Sequence, residues 1–545
     1  MPRLILSTWA VLQESTVRRL PIVLLAFVAV VGAGASGAAA LPARAGAGRR
    51  HPNIVFVLTD DLDAAELRWM PFTRHLVGDA GVTFDHYFVS NSLCCPSRVT
   101  TLRGQYAHNT GVWTNGGTNG GFEAARERGI ERDTVATRLF AAGYRTALVG
   151  KYLNGYPNTV PPSYVPLGWS AWVSPVAGHP YGEYRYVLND NLRFEGHGAT
   201  PRDYGTDVYV HRTQHFIRTS VGMRQPFFAY LGVYAPHQPA TPAPQDSSKF
   251  SRARVPRDAA YDQGDVRAMP RFVRDLPRFS RGERAAIDEL YRLRLRSLQA
   301  VDRGVRALVH TLRVTHQLAN TYVVFTSDNG FHLGQHRLPA GKETAYDTDI
   351  HVPLLVRGPG IPHGSRVTRL TGNLDLAPTF ETMVGLRPPS FTDGRSLLPL
   401  ARGHAGTRPW RSAYLIEHRN ETGVSAPRAR PRSLPLEPAD PDEAGLARRH
   451  PWPRAHGHLL EPRDKGVLTR HAPIPDYDAV RTADHLYVEY ANGDRELYDT
   501  RRDPHEVHNL AGTQPRLVRS LAARVRRLER CAGRECRVAD SNRPT

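Results

Sequence analysis

Lysine is nearly missing from this 545-residue chain. Lys151, Lys249, Lys342 and Lys465 are the whole set, so almost all of the 71 basic residues are arginine. A net charge of +19 would suit a polyanionic partner such as nucleic acid, a membrane surface or a sulfated polymer. The arginines are scattered, however, and no RNA- or DNA-binding motif accompanies them, which argues against nucleic acid. Arginine-biased codon usage is the plainer source of the charge. Any lysine that persists in such a chain is one whose ammonium is wanted. Cysteine is scarce as well, with four residues, and none lies near the N-terminal apolar run, which removes a lipoprotein anchor. Apolar residues are not scarce. A chain that is 41% hydrophobic and 23% charged is globular rather than disordered, and its length allows a large core and two or more domains.

Near the N-terminus, Arg18-Arg19 precede the uncharged run "LPIVLLAFVAVVGAGASGAAALPA". Its small-residue end predicts a signal peptide cleaved near Ala40 or Ala45, with residues 1–45 as signal and processing region. The run approaches membrane-spanning length, but its Gly/Ala-rich second half favours cleavage over an anchor. The arginine pair permits twin-arginine export. Export predicts a secreted protein in an oxidising compartment, touching membrane only through that signal. "RCAGRECRV" then places Cys531 and Cys536 close enough for a local disulfide.

Four apolar runs end in reactive groups. "NIVFVLTDD" stops at Asp60-Asp61, and "TYVVFTSDNG" echoes it at Asp328-Asn329. "YRTALVGKYLNGY" runs into Gly150-Lys151, and "QPFFAYLGVYAPHQP" into Pro236-His237. Continuous apolar runs of this length fit parallel strands buried on both faces. Helical stretches such as "ERDTVATRLFAAG" and "IDELYRLRLRSLQAVDRGVRALVHTL" lie between them. The pattern predicts an α/β fold: a large, mixed, mostly parallel sheet flanked by helices, with a smaller C-terminal α+β subdomain. Ligands of such sheets bind beyond the carboxyl ends of the strands. Any one of these groups alone would pass for a turn, cap or loop residue; four strands delivering such groups to one edge would not.

Asp60, Asp61, Asp328 and Asn329 offer only oxygen, which suits a hard divalent cation, Ca²⁺ ahead of Mg²⁺. The adjacent Cys94-Cys95 in "NSLCCPSRVTTLRGQ" suits neither a disulfide between neighbours nor a zinc site with spaced ligands. Pro96 favours a helix start and Gly104 a stop. That puts the cysteine pair at a helix N-terminus, where anions are favoured, with Arg98 as a positive fork.

Cys94-Cys95-Pro96-Ser97-Arg98, followed by Leu102 and Gly104, resembles the C-x-P-S-R-x(3)-L-x-G signature of the sulfatase family. The resemblance covers roughly residues 51–400, and "RELYDTRRDPHEVHNLAG" is similar to the family's C-terminal subdomain. It implies that Cys94 is oxidised to formylglycine by a formylglycine-generating enzyme, while Cys95 fills a variable place. It further implies that Asp60, Asp61, Asp328, Asn329 and residue 94 hold calcium, that Arg98 supports the modified residue and the metal, and that Lys151, His237 and Lys342 bind the sulfate and act in catalysis. Many members carry a histidine shortly after the first lysine. This chain has Asn154 there, which can bind substrate but cannot serve as a base; His332 and His336 are candidates to replace it. The "CCPSR", "GKYLNGY", "NGFHLGQHRLP" and "YAHNTGVWTN" segments resemble the glucosamine-6-sulfatase and extracellular heparan-sulfate sulfatase branch.

The mechanism so implied has a hydroxyl of the hydrated aldehyde attack sulfur, with Lys151, Lys342 and the cation holding sulfate oxygens and His237 protonating the leaving oxygen. The partner is then a sulfated carbohydrate or small sulfate ester. Two alternatives remain: a phosphonate monoester hydrolase or phosphodiesterase of the same fold, and a non-catalytic binder of polyanions. The expected layout is a catalytic part over 50–405, a C-terminal subdomain over 406–536 with a Pro/Arg-rich insertion near 419–466, and a tail over 537–545.

Overall fold

The structure, a computed structural model, describes residues 51–404, 410–420 and 474–541. The export segment at 1–45 and the insertion beyond Asn420 lie outside the described residues. The described strands are, in chain order, β1 (Asn53–Thr59), β2 (Val82–Phe84), β3 (Tyr87–Phe88), β4 (Arg145–Gly150), β5 (Ala171–Gly178), β6 (Tyr186–Asp190), β7 (Arg193–Gly196), β8 (Phe227–Gly232), β9 (Thr321–Ser327), β10 (Leu354–Arg357), β11 (Ser365–Val367), β12 (Thr371–Gly372), β13 (Tyr414–His418), β14 (Tyr477–Arg481), β15 (His485–Tyr490) and β16 (Arg495–Asp499).

Ten of them form one mixed sheet in the order β11-β2-β10-β9-β1-β8-β4-β5-β6-β7. The four apolar runs are its centre: β9, β1, β8 and β4 lie side by side and all run parallel. Every residue of β1 and β9 is buried. Alternation shares β1 between two layers. Ile54, Phe56 and Leu58 pack with Val99, Leu102, Leu139 and Phe380 on one face. Val55 and Val57 pack with Ile217, Leu298 and Leu308 on the other. A sheet covered on both faces needs no polar strand positions, which is why these runs read as unbroken hydrophobics.

The covering helices follow local signals. The helix Arg281–Val314 begins after Ser280, whose hydroxyl accepts from the Glu283 N–H at 3.2 Å while the Glu283 carboxylate accepts from the Ser280 N–H at 2.6 Å, a capping box. The "ERDTVATRLFAAG" stretch yields only Val135–Ala141 as helix, because Thr134 caps it and residues 130–132 form a 3-10 turn first.

Near the C-terminus, β13-β14-β15-β16 make a separate antiparallel sheet, backed by the helix Pro515–Leu528 through buried Val518, Leu521, Val525 and Leu528. The described residues from His51 onward nonetheless pack as one compact unit. Of the residues assigned to a tail, the described ones are part of it: the helix Arg534–Ala539 runs through position 537, and Asp540 is buried. The cause is electrostatic. Arg411 has no access to water and needs two carboxylates, Asp375 at 2.6 Å and Asp540 at 2.7 Å. Cys531 and Cys536 are joined in a disulfide just before that helix ends.

Candidate active site

Parallel pairing of Thr59 with Ser327 sends β1 and β9 off the sheet together, so Asp60-Asp61 and Asp328-Asn329 emerge as neighbours. The two tips are interlaced. The Asp328 N–H donates to the Thr59 carbonyl at 3.1 Å, and the Asp61 N–H donates to Asp328 Oδ1 at 3.2 Å. Asp61 holds φ at 68°, a left-handed conformation rare outside glycine. Its carbonyl is gripped by Arg294 Nη2 at 2.5 Å. Arg294 is itself buried against Glu66 at 2.7 Å and donates to the Pro236 carbonyl at 3.3 Å, so one guanidinium ties the Asp61 turn to the loop carrying His237.

The helix Cys94–Arg103 is buried through Leu102 and points its N-terminus at these tips; Gly104, at φ 74°, ends it. The Cys94 thiol donates to Asp60 Oδ1 at 3.2 Å, and Lys342 Nζ reaches both Cys94 Sγ at 2.9 Å and Asp61 Oδ1 at 2.8 Å. In a formylglycine the place of Sγ would be taken by the aldehyde oxygen or a hydrate hydroxyl. One turn on, Arg98 Nε bonds Asp328 Oδ2 at 2.7 Å, and its Nη2 lies 3.7 Å from Asp60. Ser97 donates to the Asp328 carbonyl and accepts from Asn373. Cys95 faces the core, its N–H bonded to Asn115.

Lys151, on the residue after β4, bonds Asp60 Oδ2 at 2.7 Å and rests over the Tyr181 ring at 4.7 Å. The same ring lies 4.7 Å from the His237 imidazole. His237 Nδ1 sits 2.7 Å from the Gln238 carbonyl; a carbonyl only accepts, so Nδ1 carries the hydrogen and Nε2 faces Asp61 Oδ2 at 3.7 Å.

Two ammoniums and a guanidinium among three carboxylates set the electrostatics. Burial pushes the Asp60 carboxyl up, but Lys151, His237, Arg98 and Lys342 outweigh it and hold it well below the usual range. Asp61 is likewise lowered, burial being overcome by Lys342 and His237. Burial and repulsion from Asp60 push Asp328 up to about 6 against the pull of Arg98. Burial and Asp60 also raise the Cys94 thiol, so as an unmodified cysteine it is neutral and a poor nucleophile.

Whether these groups fit a cation can be judged from their spare oxygens. Asp61 Oδ2 and Asn329 Oδ1 are buried with no hydrogen-bond partner, an expensive state without a cation to satisfy them. Ligand atoms of Asp60, Asp61, Cys94 and His237 all lie within 4.8 Å of one another. Asp328 is more committed, both its oxygens accepting from protein donors, though a carboxylate oxygen can accept more than once. An all-oxygen carboxylate and amide set fits a hard divalent ion.

The candidates for the missing histidine separate. Asn154 is buried, its amide 3.4 Å from the Tyr181 hydroxyl. His336 stacks on Tyr346 at 4.0 Å and bonds Gln263, and burial lowers it to about 3, which keeps it neutral and structural. His332 holds Asp349 through Nδ1 at 3.0 Å and pairs by backbone with Gly341, the residue before Lys342. Sequence reasoning missed Tyr181, Arg294 and Tyr477. The first two lie in a 3-10 turn and a long amphipathic helix, where nothing in their neighbours marks them.

Comparison with known proteins gives a consistent picture. The sulfatase family profile matches residues 52–386. N-acetylglucosamine-6-sulfatase of Homo sapiens is 33% identical over 508 residues, which cover 90% of this chain and 87% of that protein. An extracellular sulfatase SULF-1 homologue of Drosophila melanogaster is 36% identical over 393 residues; the match covers 70% of this chain but 34% of that longer protein. In fold, the chain superposes on the solved structure of BT4656 in complex with its substrate D-glucosamine-2-N,6-O-disulfate. The TM-score is 0.68 at 21% identity, covering 90% of this chain and 99% of that one.

Proposed function

From the premise that the chain belongs to the sulfatase family, and is a sulfuric ester hydrolase, we propose that it removes the 6-O-sulfate of glucosamine-type sugars, with aryl sulfates as simpler substrates. The observation that carries this is the convergence on one sulfur atom, Cys94 Sγ, of Asp60 at 3.2 Å and Lys342 at 2.9 Å, beside the spare oxygens of Asp61 and Asn329. The choice of sugar is supported by identity with the human N-acetylglucosamine-6-sulfatase across most of both chains.

Asp60, Asp61, Asp328 and Asn329 would hold the cation, calcium ahead of magnesium. A formylglycine at position 94 and that cation would together supply an acidified hydroxyl as nucleophile and a Lewis acid for the sulfate. The remaining work belongs to the chain. Lys151 and Lys342 place two charges against the sulfate oxygens. His237, with Nδ1–H fixed on the Gln238 carbonyl, carries on Nε2 the proton that the leaving alcohol takes up. Arg98 balances Asp328 and Asp60 so that three carboxylates can share the site. Cys94 is fully buried, so the formylglycine-generating enzyme must reach it before the fold closes. Export through residues 1–45 belongs to the same proposal and is in keeping with the extracellular relative.

Mass spectrometry of the Cys94 peptide from natively produced protein, with turnover of a nitrophenyl sulfate, tests this. The expected result is an aldehyde at 94 and turnover that Cys94→Ser abolishes while the fold persists. An unmodified thiol would favour a non-catalytic polyanion binder, and faster turnover of a nitrophenyl phosphodiester would favour the phosphonate hydrolase alternative.

A further inference from the structure

Lys342 sits on a segment with little regular structure of its own, and the groups that fix it come from the C-terminal sheet. Glu343, the next residue, has φ at 78°, a conformation that a side chain with Cβ rarely adopts. Its carbonyl accepts from the Tyr477 hydroxyl at 2.9 Å. Tyr477 lies on β14 and is 1% exposed. Further along, Arg481 of the same strand grips Asp347 through two bonds of 2.9 Å. The Tyr346 hydroxyl donates to Glu496 of β16 at 2.7 Å. Between them, the Thr344 carbonyl accepts from Ser92 at 2.8 Å. The strained peptide's carbonyl thus accepts from a buried donor, and the segment after it is anchored on two strands of the C-terminal sheet, β14 and β16.

We propose that Tyr477 is a positioning residue for Lys342: its hydroxyl holds the Glu343 peptide in the left-handed conformation that aims the Lys342 ammonium at residue 94. The proposal takes Lys342 as the sulfate-holding group of the preceding section. Without that hydroxyl the peptide can relax toward an ordinary φ, which swings the lysine stem away while leaving the cation ligands, just beyond the ends of β1 and β9, where they are. A glycine at 343 adopts the same φ without strain and would make the hydroxyl largely dispensable.

The experiment uses the full-length formylglycine enzyme and nitrophenyl sulfate. Tyr477→Phe should lower kcat/KM about tenfold, the effect of about 1.4 kcal/mol of lost alignment, with Ca²⁺ affinity by calorimetry unchanged. Adding Glu343→Gly to that variant should restore most of the loss. Lys342→Ala separates the two levels of claim: if it turns over normally, the role given to Lys342 fails, whatever Tyr477 does. If Lys342→Ala is crippled but Tyr477→Phe matches the parent in kcat/KM, the positioning role is overturned. It is overturned equally if Tyr477→Phe loses Ca²⁺ affinity along with activity, or if Glu343→Gly brings no recovery, since general loosening of the fold would produce either result.

Discussion

The proposed cation cradle and the Lys342 segment meet at Cys94, yet they are built by different means. The cradle stands on the ends of two adjacent parallel strands, and its backbone is set by the sheet and by Arg294 from the helix Arg281–Val314. The Lys342 segment has no such footing and takes its shape from β14 and β16 in another sheet. Each contains a non-glycine residue in the left-handed region, Asp61 at 68° and Glu343 at 78°, and each such carbonyl is held by a buried donor. Strain at a site persists only where its surroundings over-determine it. The two regions meet that condition in different currencies, charge in the cradle and a neutral hydroxyl at the lysine.

That contrast can be broken at several points. Asp60→Asn removes a carboxylate that faces Cys94, Lys151 and Arg98 at once, and turnover of an aryl sulfate should fall about 1,000-fold, at the upper end for loss of one electrostatic group. In the same variant the rise in melting temperature on adding Ca²⁺ should vanish, since a ligand stabilises only the state that binds it. A better response to Mg²⁺ than to Ca²⁺ in the parent would reverse the preference for calcium. Lys342→Ala should cost about 100-fold in kcat/KM with no loss of Ca²⁺ affinity; if Ca²⁺ binding went with it, the two regions would not be separable. Arg294→Met leaves Glu66 charged and unpaired in the interior, and should destabilise the fold by about 3 kcal/mol in urea titrations as well as weakening Ca²⁺ binding. Tyr477→Phe, by contrast, should act on alignment with little loss of stability.

A pH effect concerns the tie between the catalytic part and β13. His108 Nδ1 lies 2.8 Å from Glu417. Burial opposes its charge, but the Glu417 hydrogen bond and charge prevail and raise it to about 9. A histidine raised in the folded state stabilises fully below its unfolded value near 6.5 and loses that contribution as pH rises to about 9. The loss should be roughly 2 kcal/mol once partial exposure is discounted, read as a lower melting temperature at pH 9.5 than at pH 6. His108→Gln should flatten that difference.

The cradle was legible because each proposed ligand pair directly follows an apolar, β-branched run, so the local pattern carries both the strand and the place where it ends. Lys151 and His237 follow strands too and were legible for the same reason. Lys342 was visible only through the family resemblance, since nothing local places it. Arg294 reaches Asp61 across 233 residues and Tyr477 reaches Glu343 across 134, and side chains that matter through such contacts look like any other helix arginine or strand tyrosine. Asp540 was hidden likewise: its partners Arg411 and Arg395 lie far from it in sequence.

The position of β1 has a consequence for how the protein is made. It is the earliest described strand, yet it lies in the middle of the large sheet, and its flanking partners follow 174 and 268 residues later. At ribosomal rates of about 5–20 residues per second, a largely apolar strand waits on the order of ten seconds to a minute for its neighbours. Recombinant yield should therefore respond to slower translation and to chaperone supply more than to surface substitutions, and any fragment ending before β9 will carry the signature cysteine with no pocket around it.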